Sequence, residues 1–278
     1  MFSEPPFDVV ECSECGLVYV TPRLSSEALA EVYGAKYWKS DNPKNCGYSD
    51  YAKDAPLYLK TFRRRMKLVS QWVGDKAKVL DIGCAAGFFV RTMLEHGHDA
   101  VGIEPSDSIA AYAQKTLGTD RVHIGDLDSA PQEVLQEGHF DLVTMWDVIE
   151  HIPDPQAALH RARKLLAPGG KLLLETQNVG SRWARMLGRR WHHYKHEEHL
   201  YHFNPKTIER LLGDCGFSIL HNSSAFAGKY VSFGFIAERA GRLGKVAGLL
   251  ASPIKLLAGC NLYVNPRDEM IVIAEPTP

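Results

Sequence analysis

The chain has no excess of charge of either sign: 32 Lys and Arg stand against 33 Asp and Glu, a formal net charge of -1. That balance excludes a general polyanion coat and an acidic tail, and leaves charge recognition to local clusters. Cysteine is sparse. Six in 278 residues do not make a disulfide framework, and only Cys12 and Cys15 lie close together, with Cys46, Cys84, Cys215 and Cys260 scattered. Residues 1–10 lack a basic start followed by an apolar stretch, so no secretory signal is expected. The longest uncharged apolar run toward the C-terminus, 246–254, is far too short to cross a bilayer. Internal repeats and low-complexity tracts are absent as well. These absences make a reducing cytoplasm the expected compartment, and the 45% apolar content is enough for a core without disulfides or metal.

What is present is a rhythm. From Lys78 onward, short apolar runs alternate with helical segments, the pattern of a parallel α/β sheet. Strands are expected at 78–83, 99–104, 121–125, 140–146 and 171–176, with two more at 217–220 and 270–274. Helices are expected over 87–96, from Pro105 and Ser106 to about Leu117, and from Pro155 to Leu166. A further helix starts at Asn204-Pro205, where proline sits at the first helical position and its missing N–H costs nothing.

The first strand ends in DIGCAAG, residues 81–87. Small residues there let the backbone approach a ligand, and the helix that follows presents unpaired N–H groups. Glu104 ends the second strand, 23 residues after Asp81, where a carboxylate can accept hydrogen bonds from both hydroxyls of a ribose. A dinucleotide turn needs three spaced glycines for its pyrophosphate, but Ala85 holds the middle position here. Asp81 would repel a diphosphate, and it suits a cationic ligand such as the amino group of a methionine moiety.

The chain resembles the class I S-adenosylmethionine-dependent methyltransferases, particularly their small-molecule, ubiquinone-pathway-like branch. VLDIGCAAG matches the first motif of that superfamily, with Ala85 for the commoner glycine; VGIEPS matches the second, and GDLD at 125–128 the third. FDLVTMWDVIEHIPDP matches the fourth, and LLAPGGKLLLET at 165–176 the fifth. The resemblance implies an α/β fold, a Rossmann-like doubly wound seven-stranded sheet that is mostly parallel with one antiparallel strand at 270–274. It implies an N-terminal extension over 1–75, a methyltransferase domain over 76–278 and a helical insertion over 225–268 before the last strand. It assigns the methionine end of S-adenosyl-L-methionine to Asp81 and Gly83 in the loop with Cys84, Ala85 and Gly87, and the ribose to Glu104 next to Pro105. Asp126 and Leu127 would flank the adenine, and Met145 and Trp146 would line the cofactor wall. Two roles stand open for Asp126, the adenine flank or a cap. Cys84 reads as a small turn residue rather than a nucleophile.

Methyl transfer from a sulfonium asks mainly for alignment and exclusion of water, and a base helps only when the acceptor is a poorly acidic hydroxyl or a protonated amine. His151 follows the fourth strand, where ligands bind beyond strand carboxyl ends in such folds. With Asp147 and Glu150 it forms D-x-x-E-H. A similar cluster holds a divalent cation in ubiquinone-pathway O-methyltransferases, with a glutamate where Asp147 stands. A helix-entry pair of Glu150 and His151 is the alternative. HHYKHEEHLYHF at 192–203 contains the E-H-L-x-x-F segment that faces the acceptor pocket in this branch, which makes His199 the preferred base. The neighbouring His192, His193, His196 and His202 are expected at the surface or in packing, and no metal is expected.

The flanks are less defined. ECSECGLVYVTPR at 11–23 resembles the second half of a zinc ribbon, and a single knuckle offers two of the four ligands zinc needs. EVYGAKYW at 31–38 resembles a segment that closes over the cofactor, with Tyr37 as its contact; an amphipathic helix is the alternative. Residues 181–196 interleave Arg182, Arg185, Arg189, Arg190 and Lys195 with Trp183, Trp191 and Tyr194. Such a pattern binds RNA or grips a phosphate on a sugar nucleotide or lipid-linked glycan. Net neutrality favours O-methylation of a small molecule or glycan precursor, with nucleic acid as the alternative partner. A non-enzymatic nucleoside-binding module is the third reading. Residues 233–257 are expected to cap the acceptor pocket, with peripheral membrane contact as the alternative.

Overall fold

The computed structural model describes residues 1–25, 28–29, 53–237 and 259–278. Its centre is a seven-stranded sheet built from β4 (Lys78–Ile82), β5 (Asp99–Glu104), β6 (Val122–Ile124), β7 (Phe140–Trp146), β8 (Leu166–Gln177), β10 (Phe217–Ser223) and β13 (Glu269–Pro276). The strand order is β10-β13-β8-β7-β4-β5-β6, and β13 runs antiparallel to both of its neighbours. The seven expected strands are these seven, and β13 is the antiparallel one.

Helices α1 (Ala55–Val69), α2 (Phe88–Glu95), α3 (Asp107–Leu117), α4 (Pro155–Leu165) and α6 (Pro205–Asp214) pack around it, and a short α5 (Arg182–Leu187) leads into a 3-10 turn at Gly188–Arg190. The strands are apolar on both faces because both faces are covered. Along β7 and β8 the side chains alternate: Val143, Met145, Leu172 and Leu174 enter one core, while Leu142, Trp146 and Leu173 enter the other. The second core closes with Phe62 of α1, Phe89 of α2 and Trp146, whose rings lie 5.0–5.4 Å apart. Local chemistry starts the helices where the sequence placed them. The Asp154 carboxylate accepts from Ala157 N–H ahead of Pro155, and Asn204 and Thr207 form a reciprocal capping box ahead of Pro205.

Strand β4 has β5 on one side and β7 on the other, so the chain departs from it in opposite directions. The crevice beyond the carboxyl ends of β4, β5 and β7 is the switch point where open α/β sheets bind ligands.

The N-terminal region holds strands that no pattern announced. β1 (Phe2–Glu4), β2 (Phe7–Glu11), β3 (Val18–Thr21) and β9 (Tyr201–His202) form an antiparallel sheet in that order over a small core of Phe7, Val9, Val18 and Val20. Val20 N–H donates to Leu200 O at 3.0 Å. The knuckle is the β2–β3 turn, and its strands end on the histidine-rich segment. The described ends of 225–268 form a second small sheet, β11 (Lys229–Ser232) against β12 (Asn261–Val264). A helical stretch begins at Phe233, and residues 238–258, with most of the expected cap, lie outside the described residues. No helix among the described residues is long and apolar enough to cross a membrane.

Replacing Asn204 with alanine removes the acceptor for two backbone N–H groups at the start of α6. The expected loss is ~1 kcal/mol of stability, read as a lower urea midpoint with an unchanged m-value.

Candidate active site

The turn after β4 is shaped by close approach. Gly83 has φ +69°, and a Cβ there would lie 2.7 Å from Val148 Cγ2. Gly87 has φ +71°, and its Cβ would lie 2.6 Å from Leu117 Cδ1 of α3. Both positions therefore need glycine for space as well as for backbone angle. Ala85 takes φ 47° without that freedom, and its N–H donates to Glu104 Oε2 at 2.9 Å. Glu104 Oε1 accepts from Ser106 N–H at 2.9 Å, so one carboxylate ties the β4 turn to the β5 turn. Cys84 directs its sulfur into the sheet, where a Cβ on Gly102 would meet it at 2.5 Å. It lines the loop with backbone only.

Asp81 is buried at the end of β4 and accepts from Thr144 Oγ1 at 2.6 Å. Burial pushes its pKa up to about 7 against that hydrogen bond, and the nearby Glu104 charge adds to the rise. Burial also pushes Glu104 up to about 7, opposed by the N–H groups of Ser106 and Ala85. Among the described residues neither acid has an ion-pair partner. A cationic ligand would supply the missing charge.

Asp126 closes a turn after β6, accepting from Ser129 Oγ and from the N–H groups of Asp128 and Ser129. Burial opposes its charge, but these bonds outweigh it and hold its pKa low. The turn it closes is not the start of a helix. Leu127 and Met145 point into the core, Trp146 stacks among Phe62, Phe89 and Arg65, and Pro105 is exposed beside Glu104. Tyr37 lies outside the described residues.

The Val148 contact sets the cofactor turn against the D-V-I-E-H segment. His151 Nδ1 lies 2.8 Å from Glu198 O, and His199 Nδ1 lies 2.8 Å from His193 O. A carbonyl only accepts, so each Nδ1 carries the proton and each Nε2 carries the lone pair. The two rings meet edge to face at 4.7 Å. Burial holds both imidazoles below their ordinary pKa, His199 far below, so both are neutral at pH 7. Glu150, wholly buried, accepts from Thr176 Oγ1 at 3.0 Å, and its backbone carbonyl accepts from Leu200 N–H at 2.9 Å.

The D-x-x-E-H residues do not converge on one point. Glu150, His151 and His199 offer ligand atoms within 4.8 Å of one another, a donor set that suits a divalent cation. Asp147 instead groups with Glu175 and Glu269, and Lys229 Nζ lies 2.8 Å from both Asp147 Oδ2 and Glu269 Oε1. Burial opposes the Lys229 charge, but Asp147 and Glu269 outweigh it and keep the ammonium protonated. Arg65 of α1 pairs with Glu175. Lys229, Glu269, Glu175 and Arg65 carried no motif. The faint signal in the sequence was the pair of acids, Glu175 and Glu269, each directly flanking an apolar run, Leu172–Leu174 and Met270–Ala274.

A family model described as a methyltransferase domain matches residues 51–222. The ubiquinone biosynthesis O-methyltransferase of Psychrobacter arcticus is 29% identical over 198 residues, covering 65% of this chain and 69% of that protein. Its namesake from Xanthomonas oryzae is 30% identical over 173 residues, covering 58% of this chain and 68% of that protein. In fold the chain is similar to an S-adenosylmethionine-dependent methyltransferase from Thermotoga maritima, with TM-score 0.55, 16% identity, and coverage of 89% of this chain and 99% of that one. A methyltransferase of the same dependence from Archaeoglobus fulgidus gives TM-score 0.52, 17% identity, and coverage of 81% and 98%.

Two outcomes follow for the cofactor. Because burial pushes Asp81 and Glu104 up to about 7, a cofactor held by their ionised forms is expected to bind more tightly as pH rises from 6 to 8. Calorimetry below pH 7 should show proton release on binding, and equal affinity at both pH values would contradict it. Gly83→Ala is expected to weaken cofactor binding through its positive φ and the Val148 clash. The double variant with Val148→Ala should regain part of the loss, read by the same titration.

Proposed function

The chain belongs to the S-adenosylmethionine-dependent methyltransferase family, and from that premise we propose that it methylates a hydroxyl oxygen on a small molecule or glycan precursor. One observation carries the reading. His151 follows Val148, which packs against the turn after β4, and two neutral imidazoles, half-buried His151 and buried His199, carry Nε2 lone pairs. That is what a poorly acidic hydroxyl requires.

Bound S-adenosylmethionine supplies the electrophilic methyl group. Asp81 and Glu104 hold the cofactor by charge and hydrogen bonds, and the buried floor excludes water. As the acceptor oxygen forms its bond to the methyl carbon, the carbon–sulfur bond breaks with its electron pair going to sulfur. His199 Nε2 takes the hydroxyl proton, and the His193 carbonyl at its Nδ1 steadies the imidazolium. With a divalent cation held by Glu150, His151 and His199, the hydroxyl would be acidified by the cation in place of a base, because His199 Nε2 would then be a ligand. The O-methyltransferase names of the relatives from Psychrobacter and Xanthomonas support oxygen as the acceptor atom. The free state of Cys12, Cys15, Cys84, Cys215 and Cys260 supports a reducing, cytoplasmic setting.

A phosphate or diphosphate on the acceptor has partners at hand in Arg182, Arg185, Arg189 and Arg190, which are all exposed. The same arginines support a second reading in which the acceptor is RNA. The two differ in salt dependence: a polymer neutralised at many phosphates loses affinity steeply with salt, and a small ligand does so weakly.

The test is S-adenosylhomocysteine release in a screen of phenols, sugar nucleotides, lipid-linked glycans and RNA. Turnover is expected with a small hydroxyl acceptor, and His199→Ala should lower kcat by about 10²–10⁴-fold while leaving cofactor affinity intact. Turnover with RNA alone would overturn the small-acceptor reading.

A further inference from the structure

The histidines of 192–203 divide into two groups, and only one belongs to the site described above. His192, His193 and Asp268 form the other. His192 Nε2 lies 3.9 Å and His193 Nε2 3.8 Å from the same oxygen, Asp268 Oδ2. The three ligand atoms are mutually within 4.8 Å. Glu269 Oε1 lies 3.4 Å from His193 Nε2. Three features distinguish this cluster from a chance crowding of polar groups.

The first is the state of His193. Its side chain is only 12% exposed, and its Nε2 has no hydrogen-bond partner among the described residues although two carboxylates face it. A buried ring nitrogen left without a partner costs free energy that a bound cation would return. The second is the carboxylate. Asp268 Oδ2 also accepts from the indole N–H of Trp191 at 2.8 Å, and the Asp268 backbone carbonyl accepts from Asn178 N–H at 2.7 Å. Trp191 is 1% exposed, so the oxygen that faces both imidazoles is fixed by a rigid outer partner, as metal-ligating carboxylates are. The third is spacing. Ligands at about 2.0–2.1 Å from a tetrahedral ion stand about 3.4 Å apart, and each imidazole needs to close on the carboxylate by only a few tenths of an ångström. His192, 37% exposed, leaves a path for entry.

We propose that His192, His193 and Asp268 form a binding site for a divalent transition metal of the zinc class, separate from Glu150, His151 and His199. Two imidazoles and one carboxylate are a set that such ions prefer over magnesium or calcium, and three protein ligands leave a coordination position open for an outside oxygen donor. The sequence alone led to the expectation of no metal because His192 and His193 are adjacent and Asp268 is 75 residues beyond His193, which matches no linear ligand pattern.

The experiment is titration of the full, chelator-treated chain with Co2+, followed by its visible d–d absorption and confirmed by competition with Zn2+. The expected result includes a site with nitrogen and oxygen ligands whose affinity falls more than about 10-fold in His193→Ala and in Asp268→Asn, whether or not Glu150, His151 and His199 take a second ion. The amide introduced by Asp268→Asn keeps an acceptor for Trp191, and His192→Gln, at an exposed position, gives a third variant that cannot act through unfolding. The site should persist in His151→Ala. It should also persist in Cys12→Ser, with no sulfur-to-metal charge-transfer band in the parent chain. Cobalt affinity unchanged in His192→Gln, His193→Ala and Asp268→Asn would overturn the proposal, as would a parent chain that binds no cobalt.

Discussion

The architecture turns on one electrostatic constraint: five strands deliver a carboxylate to the same edge of the sheet, four of them buried and Asp147 half-buried. Asp81, Glu104 and Asp147 arrive at or just past the ends of β4, β5 and β7. Glu175 arrives near the end of β8, and Glu269 at the start of β13, whose reversed direction brings its beginning to that edge. Isolated buried charges of one sign cannot persist, so each must be paired, hydrogen-bonded or protonated. The fold uses different answers on its two halves. Beside Asp147, Glu175 and Glu269 the chain supplies its own cations, Lys229 and Arg65. On the cofactor side it supplies none, and Asp81 and Glu104 rise to about 7 instead. A cationic ligand would supply the charge that Asp81 and Glu104 are not given by the chain.

The same constraint explains why this charged cluster is built from so many separate segments. Lys229 comes from β11, Arg65 from α1, His193 and His199 from the chain between α5 and β9, and Asp268 from the approach to β13. Each neutralises or orients a group contributed by another. Removing one member of a buried ion pair strands its partner, which costs about 3–5 kcal/mol in comparable cases. The cluster is therefore held as a unit.

Much of this was legible in the sequence, and the division is physical. The seven strands and several of the helices follow from local periodicity, turn chemistry and caps such as Asp154 and Asn204, which act within a few residues. The cofactor loop was legible because Asp81 through Gly87 and Glu104 are contiguous or lie one strand apart. Lys229, Glu269, Asp268 and Arg65 were not, because their roles arise only when distant segments meet. The N-terminal strands escaped for a similar reason: β3 is completed by β9, some 180 residues later, and neither shows its pairing alone. Leu127 and Met145 matched a motif whose side chains serve the core here, since a motif records position and not direction.

The shared sheet of β3 and β9 has a further consequence. Val18 is in register with His202 and Tyr19 with Tyr201, directly after His199. The stretch that carries the proposed base is thus an edge strand of a structure whose other three strands come from residues 2–21. In mechanical terms the N-terminal sheet is a latch. The Cys12–Cys15 turn is thereby joined to the histidine-rich segment through the β3–β9 pairing and the Val20 N–H to Leu200 O bond.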